Sequence, residues 1–214
     1  MTAALIIIDT QNDFCAPSGV CALSGGSDAS WDSVHPHIDR VLAAARANRM
    51  EIVWVQYLGD DKYKTDNLRE RDERRNRRPK CLENTWGVEF YRLCPENGEK
   101  VIQKYAFFDP FLNPEFERHL KSKAITNLVL AGLYLDVCID STARTGFQKG
   151  YYISILSDCT IAAHYDKEAA LEFMKKYYGA RILTSGNFAD LFAHEGIGPG
   201  EGIGPLRQTD GTSP

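Results

Sequence analysis

A cysteine and two charged residues could together carry out nucleophilic catalysis. Cys138 follows the apolar run NLVLAGL and begins the predicted helix CIDSTARTGFQKG. The positive end of a helix macrodipole favours a thiolate, and the free N–H groups there can hold an oxyanion. A buried structural cysteine would explain the same position. Cys138 is therefore a candidate nucleophile, and a purely structural role for it also remains open.

The two charged candidates follow predicted strands. Asp9 ends the apolar run AALIIID, and a buried carboxylate needs a cationic or hydrogen-bonding partner. Lys104 follows the short apolar segment KVIQ and precedes YAFFDPF. Asp9 could instead cap a helix or a turn, and Lys104 could be a surface lysine. From the residues alone these alternatives stay open.

The elements that must position these residues alternate between strand and helix. Apolar runs predict strands at 3–9, 51–57, 100–103, 127–133, 151–157 and 180–184. Helical spacing predicts helices at 34–48, 113–122, 137–149 and 167–177, a short helix at 86–93, and a long loop at 11–30. This order predicts an α/β fold with three α/β/α layers around a mostly parallel, Rossmann-like sheet. Such sheets bind ligands at the carboxyl ends of their strands, where the three candidates fall.

Length and composition indicate one soluble globular domain. The chain has 214 residues, of which 43% are hydrophobic and 25% are charged, and its net charge is −4. We therefore expect neither nucleic acid nor membrane as a partner. Six cysteines without paired spacing and the lack of a basic leader favour reduced thiols and a cytoplasmic location. We expect a domain at 1–193 and a flexible Gly/Pro-rich tail at 194–214, where EGIGP occurs twice.

The charged segment 69–80 holds seven basic and three acidic residues. A basic segment of this kind can bind nucleic acid, but such sites also carry interleaved aromatic residues, which are missing here. A solvated loop or a subunit contact is the favoured interpretation.

Three segments resemble the signature segments of one enzyme family. LIIIDTQNDF, VIQKYAFF and LVLAGLYLDVCIDSTARTGFQKGY are similar to those of the isochorismatase-like cysteine hydrolases, a group that includes nicotinamidases, N-carbamoylsarcosine, ureidoacrylate, biuret and triuret hydrolases. The resemblance spans residues 3–189 and places Asp9, Lys104 and Cys138 on the family's catalytic triad. It implies C–N bond hydrolysis of a small amide, carbamoyl or ureido compound through a thioester, without cofactor or metal. Lys104 would stabilise the thiolate, and Asp9 would carry the proton.

The resemblance also implies the surroundings of the triad. A cis peptide between Leu133 and Tyr134 would aim the N–H groups of Tyr134 and Cys138 into an oxyanion hole. A homodimer or homotetramer is expected. The expected substrate contacts are Phe14, Gln56, Trp86, Phe107 and Tyr134, with Tyr57 and Phe108 as further aromatic candidates. Glu89 and Arg144 match recurrent family positions, for which a structural ion pair or surface charge is favoured.

Two departures narrow the substrate class. Nicotinamidases carry an Asp-x-His-x-x-His metal motif after the second strand, whereas this chain has VQYLGDDKYK and no histidine between His37 and His119. True isochorismatases lack the nucleophilic cysteine. Nicotinamidase activity and isochorismatase activity remain alternatives. A binding protein of the same fold without catalytic activity is a third. Asp60, Asp61 and Asp66 could bind a hard cation, although solvated loop charge is favoured.

Overall fold

The structure is a computed structural model that describes residues 2–23 and 31–188. The predicted tail at 194–214 and the last five residues of the predicted domain lie outside the described residues.

A single parallel sheet forms the centre of the described part of the chain. Its strand order is β3-β2-β1-β4-β5-β6, and every neighbouring pair is parallel. The strands are β1 (Thr2–Ile8), β2 (Glu51–Leu58), β3 (Lys100–Tyr105), β4 (Ile125–Leu133), β5 (Tyr152–Ile161) and β6 (Arg181–Leu183). All six predicted strands are confirmed, with ends that differ by up to four residues.

Helices cover both faces of the sheet. They are α1 (Asn12–Cys15), α2 (Val20–Leu23), α3 (Trp31–Ala47), α4 (Asp66–Arg74), α5 (Pro114–Ser122), α6 (Asp140–Gln148) and α7 (Lys167–Tyr178). On β1, Ile6 packs in the core that includes α5, α6 and α7, whereas Ile7 packs in the core that includes α3. A strand buried on both faces has no polar face, which explains the continuous apolar run AALIII. The predicted three-layer α/β/α architecture is therefore confirmed.

Three local predictions were wrong. The segment 11–30 contains helices α1 and α2 instead of loop alone. The segment 86–93 has only a 3-10 turn at Trp86–Val88, because its backbone then pairs with residues 10–12. The charged segment contains α4, which has no buried residue. Residues with good helix propensity and an Asp66–Arg69 ion pair of 2.6 Å explain a helix there without an apolar stripe.

No helix among the described residues is long and apolar enough to cross a membrane.

Candidate active site

The fold brings Asp9, Lys104 and Cys138 together. Asp9 directly follows β1 and has a positive φ of 56°, while its amide donates to the carbonyl of Val55 on β2. Lys104 lies on β3 beside Tyr57 of β2, and its ammonium lies 5.5 Å from the centre of the Tyr57 ring. The side chain of Lys104 thus crosses β2 to reach the end of β1.

Lys104 and Asp9 form a buried ion pair. The distance from Lys104 Nζ to Asp9 Oδ2 is 2.7 Å, and neither side chain is more than 1% exposed. Burial raises the pKa of Asp9, although the nearby Lys104 opposes the shift. Burial also disfavours the charged form of Lys104, but the attraction of Asp9 outweighs it and raises the pKa of Lys104 above its ordinary value. The pair is therefore a fixed cation beside a carboxylate of increased basicity.

Cys138 completes this cluster. Its buried side chain interacts electrostatically with both Asp9 and Lys104. Burial raises its pKa to about 12, with Lys104 acting in the opposite direction. This shift runs opposite to the thiolate that the helix start was expected to favour. Cys138 lies inside a π-helical turn, Leu135–Ile139, that runs directly into α6, so it is not the first residue of the helix.

The turn before Cys138 contains an unusual peptide bond and a glycine in a special conformation. The peptide between Leu133 and Tyr134 is cis, as the family resemblance implies. The preceding Gly132 has φ +112°, and a Cβ built there would lie 2.1 Å from the carbonyl oxygen of Ile8. Only glycine permits this close approach of β4 to β1. The assignment of the Tyr134 and Cys138 N–H groups to an oxyanion hole stays a prediction.

Two of the predicted substrate contacts lie in one aromatic cluster beside the ion pair. The Phe14 ring packs edge-on against Tyr57 and Tyr134, with centroid distances of 5.8 and 6.0 Å. Burial raises the pKa of both tyrosines, so both stay neutral phenols. These rings form an apolar wall beside Lys104.

The other predicted contacts have different surroundings. Gln56 donates to the carbonyl of Val88 at 3.1 Å and thereby holds a loop in place. Trp86 is 49% exposed, and its carbonyl accepts a bond from the Asn12 side chain. Phe107 lines a cavity of about 450 Å³ whose lining contains none of the three clustered residues.

This cavity lies between α4, α6 and the loop after β3. Two arginine side chains line the cavity, and each forms an ion pair. Arg71 pairs with Asp72 at 2.6 Å, and Arg144 pairs with Asp140 at 3.1 Å. The Arg144 pair supports the structural interpretation of that residue, and Glu89 is exposed. The cavity is connected to the ion pair through Phe108, whose carbonyl accepts a 3.0 Å bond from Lys104 Nζ.

Sequence reasoning missed three consecutive polar residues that organise the site. Gln11 donates to the carbonyls of Tyr57 and Val88 and accepts a bond from the Tyr57 amide. Asn12 binds the carbonyl of Trp86 at 2.7 Å. Asp13 accepts bonds from the amides of Val20 and Cys81, at 3.3 and 2.6 Å. The sequence feature that could have indicated this role is a run of three polar residues shortly after a buried strand.

The acidic residues after β2 have partners of their own. Asp60 accepts a bond from the Glu83 amide at 3.0 Å, and Asp61 and Asp66 both pair with Arg69. Over residues 2–23 and 31–188, no group of three or more His, Cys, Asp or Glu side chains is arranged to hold a metal ion. The expectation of a site without metal stays a prediction.

Comparison with known proteins identifies the family to which this chain belongs. Residues 3–186 match the Isochorismatase domain family. Ureidoacrylate amidohydrolase RutB of Klebsiella pneumoniae subsp. pneumoniae is 30% identical over 193 residues, which are 83% of this chain and 81% of that protein. RutB of Klebsiella variicola matches to the same extent.

Solved structures share the fold. Nicotinamidase PncA of Bacillus subtilis superposes with a TM-score of 0.72 at 28% identity, covering 86% of this chain and 99% of that one. N-carbamoylsarcosine amidase of Thermoplasma acidophilum superposes with a TM-score of 0.69 at 23% identity, covering 86% and 97%.

Proposed function

Because this chain belongs to the isochorismatase family, we propose that it is an amidohydrolase of carbon–nitrogen bonds, which hydrolyses a small amide, carbamoyl or ureido compound through a thioester on Cys138. The observation that carries the proposal is the buried cluster in which Cys138 lies beside the 2.7 Å Lys104–Asp9 pair. A nucleophile, a base and a fixed cation held close together are the groups that acyl transfer requires.

In the first half of the reaction Asp9 is the general base. Its carboxylate takes the proton from the Cys138 thiol as the sulfur attacks the carbonyl carbon of the substrate. Because the raised pKa of Cys138 keeps the resting group protonated, proton transfer accompanies the attack. Lys104 stabilises the anionic sulfur. The tetrahedral intermediate then collapses, its C–N bond breaks, and protonated Asp9 returns the proton to the departing nitrogen.

In the second half of the reaction a water molecule takes the place of the released amine and hydrolyses the thioester. Asp9, again a carboxylate, takes a proton from water as its oxygen attacks the thioester carbonyl. The C–S bond breaks, the acid product leaves, and Asp9 returns the proton to the sulfur of Cys138. The N–H groups of Tyr134 and Cys138 hold the oxyanion in both halves. The chain's own side chains supply each of these steps.

The aromatic wall suits a small substrate with a planar group. Phe14 and Tyr134 bound the space beside the cluster, and we assign them to substrate contact. Gln56, Trp86 and Phe107 are assigned to the periphery of the site, since each has the separate surroundings described above. The ureidoacrylate amidohydrolase relatives support a ureido substrate.

The activity is tested by ammonia release from a panel of primary amides, carbamoyl compounds and ureido compounds. We expect turnover by the wild type and its loss in Cys138→Ala. Rapid quenching followed by mass spectrometry of the intact protein should detect an acyl adduct in the wild type and none in the variant. Cys94→Ala, which removes an exposed cysteine, is the matched control and should behave as the wild type.

Other results would point to a different activity. Ammonia release that persists in Cys138→Ala would exclude the thioester mechanism. Turnover of nicotinamide alone, or of isochorismate, would establish one of the two family alternatives. Binding of a panel compound without turnover by the wild type would indicate a silent binding protein. Assembly as a homodimer or homotetramer and a cytoplasmic location stay predictions, and analytical ultracentrifugation tests the first.

A further inference from the structure

The buried ammonium of Lys104 has a second acceptor besides Asp9. Its Nζ lies 2.7 Å from Asp9 Oδ2 and donates to the backbone carbonyl of Phe108 at 3.0 Å. An ammonium carries three N–H groups, and each bond that it makes restricts the place where its charge can lie. The Lys104 side chain has no exposed surface, so bulk solvent does not compete for these bonds. The position of the Phe108 carbonyl therefore helps to determine where the cation lies.

The loop that carries this carbonyl is held at both ends. At its start Ala106 has a positive φ of 57°, and its amide donates to the carbonyl of Leu58 on β2 at 2.8 Å. At its end the Asp109 carboxylate accepts two bonds. Its Oδ1 accepts from the Phe111 amide at 2.9 Å, and its Oδ2 accepts from the Thr145 hydroxyl at 2.5 Å. The second bond ties the loop to α6.

Helix capping explains only one of the two bonds of Asp109. This residue is the N-cap of the 3-10 turn Pro110–Leu112, and its bond with the Phe111 amide serves that turn. The bond from Thr145 comes from a residue 36 positions further along the chain, which a local turn does not need. Burial raises the pKa of Asp109, whereas the bonds from Thr145 and Phe111 and the charge of Lys104 lower it. The Thr145 bond is therefore a tertiary contact that needs its own explanation.

Thr145 lies on the same helical segment as Cys138. The π-helical turn Leu135–Ile139 contains Cys138 and runs directly into α6, which carries Thr145. The Cys138 carbonyl accepts a bond from the buried Thr142 hydroxyl at 2.6 Å, which ties the turn to α6. The helical segment that positions the Cys138 sulfur thus also holds the loop whose carbonyl binds the Lys104 ammonium.

We propose that Thr145 and Asp109 are positioning residues for the reaction, because together they hold the Phe108 carbonyl against the Lys104 ammonium. This inference rests on the proposed function, in which Lys104 stabilises the anionic sulfur of Cys138. Loss of the Thr145 bond releases the end of the loop, so the carbonyl and the ammonium move together. A small displacement of a fixed charge weakens stabilisation of the transition state more than it weakens binding of the substrate.

The test removes the Thr145 hydroxyl with little change in side-chain volume. In Thr145→Val, assayed with the best compound of the amide and ureido panel, kcat should fall about 10- to 100-fold while KM changes less than about twofold. Thr145→Ser keeps the hydroxyl and should retain most of the activity. Ser141→Ala is the matched control, because Ser141 lines the same cavity but bonds the Val137 carbonyl of its own helical segment at 2.7 Å. It should behave as the wild type.

A second variant decides the matter if Thr145→Val does not fold, which urea denaturation checks. Asp109→Asn keeps one acceptor oxygen in place of two, so it should show the same loss of kcat. The double variant should lose little more than either single variant, because both substitutions break the same bond. An unchanged kcat in Thr145→Val, an equal loss in Thr145→Ser, a loss through KM alone, or additive losses in the double variant would overturn the inference.

A measurement on the lysine itself separates this inference from the proposed function. The nitrogen NMR signal of the Lys104 ammonium, identified by its absence from Lys104→Arg, reports the hydrogen bonds of this group without any substrate. Its protons should exchange with solvent about 5-fold faster in Thr145→Val than in the wild type or Thr145→Ser, which corresponds to one lost hydrogen bond. If the wild type hydrolyses no compound, this difference would still support the positioning role. Equal exchange in all three proteins would overturn it.

Discussion

Asp13 Oδ2 lies 2.6 Å from the backbone nitrogen of Cys81, which is 68 residues further along the chain. The carboxylate is buried, and Gly87 packs directly against it. A Cβ built on Gly87 would lie 2.1 Å from Asp13 Oδ2. The carboxylate, the glycine and the amide thus form one contact that joins the segment after α4 to α1.

Gly87→Ala should break this contact. The added methyl group displaces the Asp13 carboxylate from the Cys81 amide, and the loss of that bond should cost about 1–3 kcal/mol of the free energy of unfolding. Turnover should fall as well, because Asp13 directly precedes Phe14, which is assigned to substrate contact. Urea denaturation and steady-state kinetics measure the two effects. Gly186→Ala is the control, since its new Cβ would meet nothing closer than 3.6 Å; equal stability of the two variants would contradict the prediction.

Removal of one partner of the Lys104–Asp9 pair should destabilise the protein more than removal of both charges. Lys104→Met leaves a buried carboxylate without its cation, which costs about 3–5 kcal/mol. Adding Asp9→Asn removes that charge, so the double variant should recover part of the lost stability. A double-mutant cycle by urea denaturation measures the coupling. Additive effects of the two substitutions would show that the pair is not coupled.

The pH dependence of the reaction should reflect Asp9 on the acid side. Asp9 must be ionised to accept the thiol proton, so kcat/KM is high above its pKa and falls as the pH decreases through it. Because burial raises this pKa, the fall should lie above the ordinary aspartate value of 3.8. A neutral substrate is required, because a substrate carboxylate would titrate in the same range.

On the alkaline side we expect no gain in activity near pH 9 from ionisation of Cys138, whose pKa is raised to about 12. The pKa of Lys104 is raised above 10.5, so the cation also persists there. An increase of kcat/KM with a midpoint near 8.5 would contradict a resting thiol.

Gly132→Ala should be far more damaging than Gly150→Ala. Both glycines have positive φ, and a left-handed conformation costs a non-glycine residue about 1–2 kcal/mol. Gly150 has open space where a Cβ would lie, whereas at Gly132 the Cβ would clash with the Ile8 backbone. We expect a further loss of roughly 1–3 kcal/mol for Gly132→Ala from this clash. Thermal denaturation of both variants makes the comparison, and similar melting temperatures would contradict it.

The sheet and the three clustered residues could be predicted because their signals are local. A strand buried on both faces is a continuous apolar run, and in parallel sheets the carboxyl ends of the strands meet along one edge. Asp9, Lys104 and Cys138 each lie near such an end, and the family resemblance placed all three on the catalytic triad.

The parts that were missed depend on contacts between distant segments. The segment after Trp86 is extended because residues 10–12 pair with its backbone, and no property of its own residues shows this. The raised pKa of Cys138 follows from its burial, which a helix-start argument does not include. The contact of Lys80 with Phe14 joins residues that are far apart in the sequence.

The polar run Gln11–Asp13 also determines how a substrate gains entry. Its side chains hold the backbone at positions 57, 81, 86 and 88 through short bonds. Swinging the segment at 81–88 aside as a lid would break several of these bonds at once, and it would disturb α1 and the residues that follow Asp9. Substrate entry and product release should therefore occur through an opening that exists without movement of this segment. Amide hydrogens at both segments should exchange with solvent as one cooperative unit.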